Sequence, residues 1–198
     1  MKLKPDIDPD STYALLELYK ELVELDPENT TYATTLGKLQ EGWAREVRRS
    51  EMAAKWSYSS STDDMTGGTS RYARISSENT VEFDFPYEGT QRARLTLRTH
   101  PSYGRDVMFS IERGQLMCPS YDGCTVRVRF DDGAPQSWSA SPASSRNSTL
   151  IFINGHDRFV ERLRRAQIVR IQPRVYQEGN PIFEFEVGGF DNAKYRGR

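Results

Sequence analysis

At 198 residues, 36% hydrophobic and 28% charged, the chain is long enough for one sizeable core with a small appendage. It has no run approaching the roughly 20 apolar residues of a membrane-spanning helix, which excludes that class. Its 27 Lys/Arg against 28 Asp/Glu leave a net charge of −1, so a global pull toward nucleic acid is absent. Residues 1–55 hold eight basic against eleven acidic side chains and the remainder nineteen against seventeen, so a mildly acidic segment precedes a mildly basic one. The start, Met1-Lys2-Leu3-Lys4-Pro5-Asp6, has no apolar core of a signal peptide. The expected location is therefore cytoplasmic as the chain is written, and periplasmic if it is a truncated form of an exported protein.

The first quarter reads as helical. Leu15, Leu18, Leu22 and Leu25 recur at three- and four-residue spacing, which predicts a helix burying these leucines with Ser11-Thr12 as its N-cap. Asp26-Pro27 stops it. A second stripe, Tyr32, Leu36, Leu39, Trp43 and Val47, predicts a helix capped by Asp26, with Pro27 in its first turn, continuing to about Ala54. The expected domains are 1–55, a helical hairpin and connector, and 56–198, a β-sandwich. The stretch from Tyr19 to Asn29, ending Leu25-Asp26-Pro27-Glu28-Asn29, resembles the Leu-Asp-Pro-x-Asn junction between tetratricopeptide repeats. That resemblance covers one repeat where such arrays need about three, and it implies either a plain structural hairpin or a partner-docking pair.

Ser59 to Gly68 is all turn formers and small polar residues and is expected to be a loop. Short alternating segments follow: Arg71 to Ser76, Thr80 to Phe85, Gln91 to Arg98, Asp106 to Glu112, Thr125 to Phe130, Ser148 to Ile153, Gln167 to Tyr176 and Ile182 to Val187. Three show the period of two best. Ala93, Leu95 and Leu97, then Val126, Val128 and Phe130, then Val169, Ile171 and Val175 are set inward, which turns the intervening arginines outward. One helix, Asp157 to Ala166, interrupts the strands, capped by Asp157 and burying Phe159, Val160 and Leu163. The expected class is α+β and mainly β: an antiparallel β-sandwich or partly open barrel with one inserted helix, preceded by the helical hairpin.

The ordered motifs Trp56-x-Tyr58, Asp63-Asp64-Met65-Thr66-Gly67, Phe83-Asp84-Phe85-Pro86-Tyr87, Leu95-Thr96-Leu97-Arg98, Gly114-Gln115-x-x-Cys118, Val126 to Asp131 and Phe183-Glu184-Phe185-Glu186-Val187-x-Gly189 resemble a β-domain of uncharacterised bacterial and phage proteins. The layout is similar to the VasI/TagO-type accessory proteins of type VI secretion. The resemblance spans about residues 56–190 and implies a β-rich body, with no functional residue carried over.

Candidates for chemistry are few. Cys118 and Cys124 flank a five-residue loop, expected to be the mouth of a hairpin, and would form a disulfide if the protein is exported and stay reduced if it is cytoplasmic. Two cysteines at this spacing lack the second ligand pair of a closed zinc site, so no metal and no cofactor is expected. His156-Asp157 could orient an imidazole for a small hydrolase, but no Gly-x-Ser-x-Gly or phosphate-binding glycine loop accompanies it. His100 sits far off beside turn residues, and Asp63-Asp64 reads as a solvated turn.

The outward arginines remain as the best functional surface: Arg92, Arg94 and Arg98, Arg127 and Arg129, Arg170 and Arg174, with Arg158 and Arg162 on the inserted helix. They either recognise an acidic partner or satisfy themselves against the outward carboxylates Glu82, Asp84, Glu184 and Glu186. The arginine strands carry no outward aromatics, which disfavours nucleic acid. The leading expectation is a non-catalytic protein-interaction module of bacterial or phage origin, in one form a phage inhibitor occluding a host protein. The alternatives are an exported accessory protein of a secretion system with a Cys118–Cys124 disulfide and a small hydrolase using His156. Open sandwich edges would also allow a homodimer.

Overall fold

A computed structural model describes residues 9–119, 121–144 and 147–197. The chain divides into two compact units, Met1–Glu51 and Met52–Arg198. The first is a helix pair, α1 (Pro9–Leu25) leading to α2 (Thr30–Ala54), whose last residues belong to the second unit. Tyr19 and Tyr32 meet edge to face, ring centroids 6.4 Å apart.

Three expectations for the pair are corrected. Because α1 starts at Pro9, Ser11 and Thr12 lie inside the helix and do not cap it. The shielded line is Thr12, Leu16, Tyr19 and Val23, with Leu22 half-buried beside it, while Leu15 and Leu18 are exposed and Leu25 is 82% exposed. The buried face is thus turned about one residue, roughly 100°, from the leucine stripe. Pro27 and Glu28 form a turn before α2 begins, so its cap is Asn29 rather than Asp26. The Asn29 side-chain oxygen accepts from the amides of Thr31 at 3.2 Å and Tyr32 at 3.4 Å.

The second unit is built on one antiparallel sheet of nine strands. In chain order these are β1 (Ser57–Thr62), β2 (Thr69–Ser76), β5 (Ala93–His100), β6 (Gly104–Ile111), β7 (Cys124–Phe130), β8 (Gln136–Pro142), β9 (Leu150–Ile153), β10 (Ile168–Gln172) and β11 (Phe183–Glu186). Two short strands, β3 (Val81–Phe83) and β4 (Gly89–Gln91), pair separately. In space the order is β1-β2-β5-β6-β9-β8-β7-β10-β11. The sheet folds over on itself. Phe109 of β6 lies 5.8 Å from Phe183 and 6.4 Å from Phe185 of β11, although four strands separate β6 from β11 along the ladder. The inward set expected from the alternation, including Leu95, Leu97, Val126, Val128, Val169 and Ile171, fills this interior at 0–1% exposure.

The sheet is open, since β1 and β11 are its two ends and do not pair. A turn seals β11. Glu78 donates its amide to Glu184 O at 2.8 Å, and the Asn79 side chain accepts from the Glu184 amide at 2.7 Å and donates to Ile182 O at 2.8 Å. Helix α3 (His156–Leu163) covers β7 and β8, with Phe159 5.4 Å from Phe130 and 5.5 Å from Trp138. Its cap is Gly155 at φ 86°, a left-handed conformation that suits glycine, so Asp157 lies in the first turn instead of capping. A last helix, α4 (Asn192–Arg196), is capped by the Asp191 side chain.

Two strands escape the sequence reading. The loop expected over Ser59 to Gly68 overlaps β1, an end strand with five of six residues exposed and no apolar alternation; six positions of pairing with β2 define it. In β8 only Trp138 and Ala140 mark the inward face between serines. The segment expected as one strand, Gln91 to Arg98, is divided between β4 and β5.

Candidate functional site

The sheet order divides the expected arginine surface into two groups. Arg92, Arg94 and Arg98 belong to β5 or its approach, Arg127 and Arg129 to β7, and Arg170 to β10, with β6, β9 and β8 between β5 and β7. Four ladder steps of roughly 4.8 Å put the groups about 19 Å apart along the sheet. They are two surfaces, not one.

The β7–β10 group is largely satisfied internally. Arg129 and Arg170 face each other across the ladder, an unfavourable like-charge position, and each turns away. Arg170 donates to Glu184 at 2.6 Å and to Asp131 O, and Arg129 donates to Gly133 O at 3.0 Å and reaches Asp132. Arg127 bonds Gln172 at 3.3 Å. On α3, Arg158 lies 4.5 Å over the Trp138 ring and Arg162 5.7 Å over Phe130, covering the aromatic core from outside. Arg174 is exposed past the end of β10. Of the four carboxylates expected to neutralise these strands, only Glu184 does so. Glu186 pairs with Lys55 at 2.5 Å, and Glu82 and Asp84 belong to or follow β3 in the separate two-stranded sheet.

The β5 group has a different surround. Arg98 bonds Asp106 at 2.5 Å and lies 5.5 Å over Tyr103 and 5.7 Å over Phe152. Pairing aligns Arg74, Thr96, Met108 and Phe152 in one outward row across β2, β5, β6 and β9, and Tyr72, Arg98 and Asp106 in the next. Arg74 stacks on Tyr72 at 4.2 Å, and Tyr103 is 71% exposed. Arg94 is exposed beside these rows, and among the described residues its side chain makes no ion pair or hydrogen bond. Arg92 donates to Ser77 O at 2.6 Å. The aromatics judged missing from the arginine strands are thus supplied by their neighbours, a juxtaposition that strand order decides and local sequence does not show.

His156 is buried at the foot of α3, and both of its ring nitrogens are engaged. Nδ1 lies 3.0 Å from the Asp157 carboxylate, which makes it the protonated nitrogen and leaves Nε2, 2.9 Å from the Tyr195 hydroxyl, as the acceptor. Thr99 Oγ1 donates to Tyr195 Oη at 3.1 Å, so a chain of bonds runs Thr99, Tyr195, His156, Asp157. Burial holds the His156 pKa below its ordinary value, against the opposing pull of Asp157, so the ring is neutral at pH 7. Nε2 is held by the Tyr195 hydroxyl, so that hydroxyl is the proton donor the ring faces in this arrangement.

The remaining candidates are structural. His100 Nδ1 accepts from the amides of Ser102 and Tyr103 and shapes the β5–β6 turn. Asp63 Oδ1 accepts from Met65 and Thr66, and these bonds, that of Thr66 first, hold its pKa below the usual carboxylate value. Among the described residues no three His, Cys, Asp or Glu side chains come together as metal ligands would. Cys118 and Cys124 form a disulfide. It does not close a hairpin, because β6 and β7, which flank this loop, are separated in the sheet by β9 and β8.

No protein-family model matches the chain, and no curated protein matches it. Among solved structures it is similar to invasion associated protein B from Bartonella henselae, at 14% identity and a TM-score of 0.44, over 72% of this chain and 90% of that one.

Proposed function

We propose that this chain is a non-catalytic protein-interaction module whose contact surface for an acidic protein segment is the outward face of β2, β5, β6 and β9. The observation that carries this reading is the pair of rows in which Tyr72, Arg74, Arg98, Met108 and Phe152 alternate, flanked by exposed Tyr103 and by Arg94. Arginine, tyrosine and methionine are the residue types that interface centres favour, because they combine broad apolar area with directed polar contact. Asp106 is the one carboxylate in these rows, against Arg74 and Arg98. Nucleic acid is disfavoured, since neutralising a run of phosphates needs a longer line of uncommitted cations.

The test is a paired capture from native lysate. Arg74→Glu with Arg94→Glu should remove a protein that the unaltered chain retains, and Arg127→Glu with Arg129→Glu should leave it bound. Equal loss from both pairs, or retention by the first, overturns the assignment.

The Cys118–Cys124 bridge favours a second reading, an exported accessory protein of the secretion-system kind, because structural disulfides persist in oxidising compartments. Thiol titration of denatured, unreduced protein taken from its native compartment should then find no free thiol, whereas two would remove this reading.

A further inference from the structure

At the end of the β-unit, away from the outward rows, a cavity of about 220 Å³ is lined by Arg71, Thr99, Arg105, His156, Tyr195 and Arg196. Its back wall is the Thr99–Tyr195–His156–Asp157 chain. That chain orders the Thr99 and Tyr195 hydroxyls and the His156 ring behind the cavity. Tyr195 gives its proton to His156, and Thr99 gives its proton to Tyr195.

The charges around this cavity do not cancel. Arg105 is bound by Asp157 through both prongs, at 2.8 Å each, and Asp106 is taken by Arg98. Among the described residues Arg71 and Arg196 make no ion pair or side-chain hydrogen bond. His156 is neutral, so among the described residues three guanidiniums face one carboxylate, a surplus of two positive charges. Arg71 is also held in place. It projects inward from β2, as its neighbours Ala73 and Ile75 do, and it passes so close under Gly197 that a Cβ there would collide with its Nε. Gly197 has φ +68°, so the chain turn after α4 both requires glycine and gives Arg71 its berth.

We infer that this cavity is a binding site for a phosphoryl dianion, with Arg71 and Arg196 as its charged clamp and Arg105 as the wall that Asp157 fixes. Planar guanidinium forks match the oxygens of a phosphate monoester two at a time. A surplus of two charges suits a dianion better than a single carboxylate. Free phosphate and a phosphorylated side chain of a partner share this chemistry.

The test is calorimetric titration of the whole chain with inorganic phosphate, with O-phosphoserine and with acetate. Saturable binding of phosphate, with acetate at least tenfold weaker, is expected. Tighter binding of O-phosphoserine than of phosphate would assign the site to a phosphorylated side chain, and the reverse to the free ion. Arg71→Gln and Arg196→Gln should each weaken phosphate binding about tenfold to a hundredfold, the worth of one charge-assisted pair. Circular dichroism confirms the fold, and Arg71→Lys, which keeps charge but loses the fork, replaces any variant that does not fold. A site-specific readout accompanies these: the His156 ring resonances should shift with phosphate along the same isotherm. No saturable binding, binding unchanged in the folded variants, or an unmoved His156 overturns the assignment.

Discussion

Phe109→Ala should destabilise the β-unit by about 3–5 kcal/mol, the range for deleting a fully buried aromatic ring. Phe109 is 0% exposed, and it stands where the two halves of the folded sheet meet, against Phe183 and Phe185. The cavity it leaves cannot close easily. β6 is held between β5 and β9 by pairing on both edges, and β11 is held by β10 on one side and by the turn at Glu78 and Asn79 on the other. Set against a typical domain stability of roughly 5–15 kcal/mol, this is about a fifth of the total or more. Denaturant unfolding should show a lower midpoint with an unchanged slope, and Met65→Ala, at a residue 94% exposed, should stay within about 0.5 kcal/mol. A cost below about 1 kcal/mol for Phe109→Ala would mean that the two halves are not packed through this ring.

The interior of the sheet was legible because a strand records its own facing. Ala93, Leu95 and Leu97 alternate with Arg94, Thr96 and Arg98, and no partner is needed to tell which set is dry. What the chain could not show locally is which strands become neighbours. Arg94 and Arg127 look equivalent in their own segments, yet β5 lies among Tyr72, Met108 and Phe152 while β7 lies beside Arg170 and Gln172. The same holds for the His156 chain. Thr99, His156 and Tyr195 are far apart in sequence and meet only because the last residues of β5, the foot of α3 and the short α4 share one end of the unit. A residue such as Arg71, inward on a strand whose other inward positions are Ala73 and Ile75, was the available signal: a charge on the dry side of an alternating segment needs a reason. The helix pair failed differently, because α1 has more leucines than it buries and composition alone does not choose among its faces.

Asn79→Ala tests how the open sheet protects its last strand. A terminal strand presents unpaired amides and carbonyls that invite another chain to add to it. At β11 this edge is closed by one side chain, whose amide serves Ile182 O and whose oxygen serves the Glu184 amide, with Glu78 adding one backbone bond to Glu184 O. Alanine removes two bonds at once, leaving the Glu184 amide without its partner in a part-buried seam, while Ile182 O, whose bond is exposed, turns to water. The expected cost is about 1–3 kcal/mol, most of it at the Glu184 amide, which keeps its desolvation penalty when its partner is removed. Hydrogen exchange reads the effect directly. The Glu184 amide should lose most of its protection while that of Ile171, buried in β10, follows only the global change in stability. Loss of the seam should also promote self-association at high concentration, visible by light scattering, since β11 would then be free to pair with a second copy. If Glu184 keeps its protection in the variant, the edge is closed by the Glu78 bond alone, and Asn79 is a turn residue with no part in sealing the sheet.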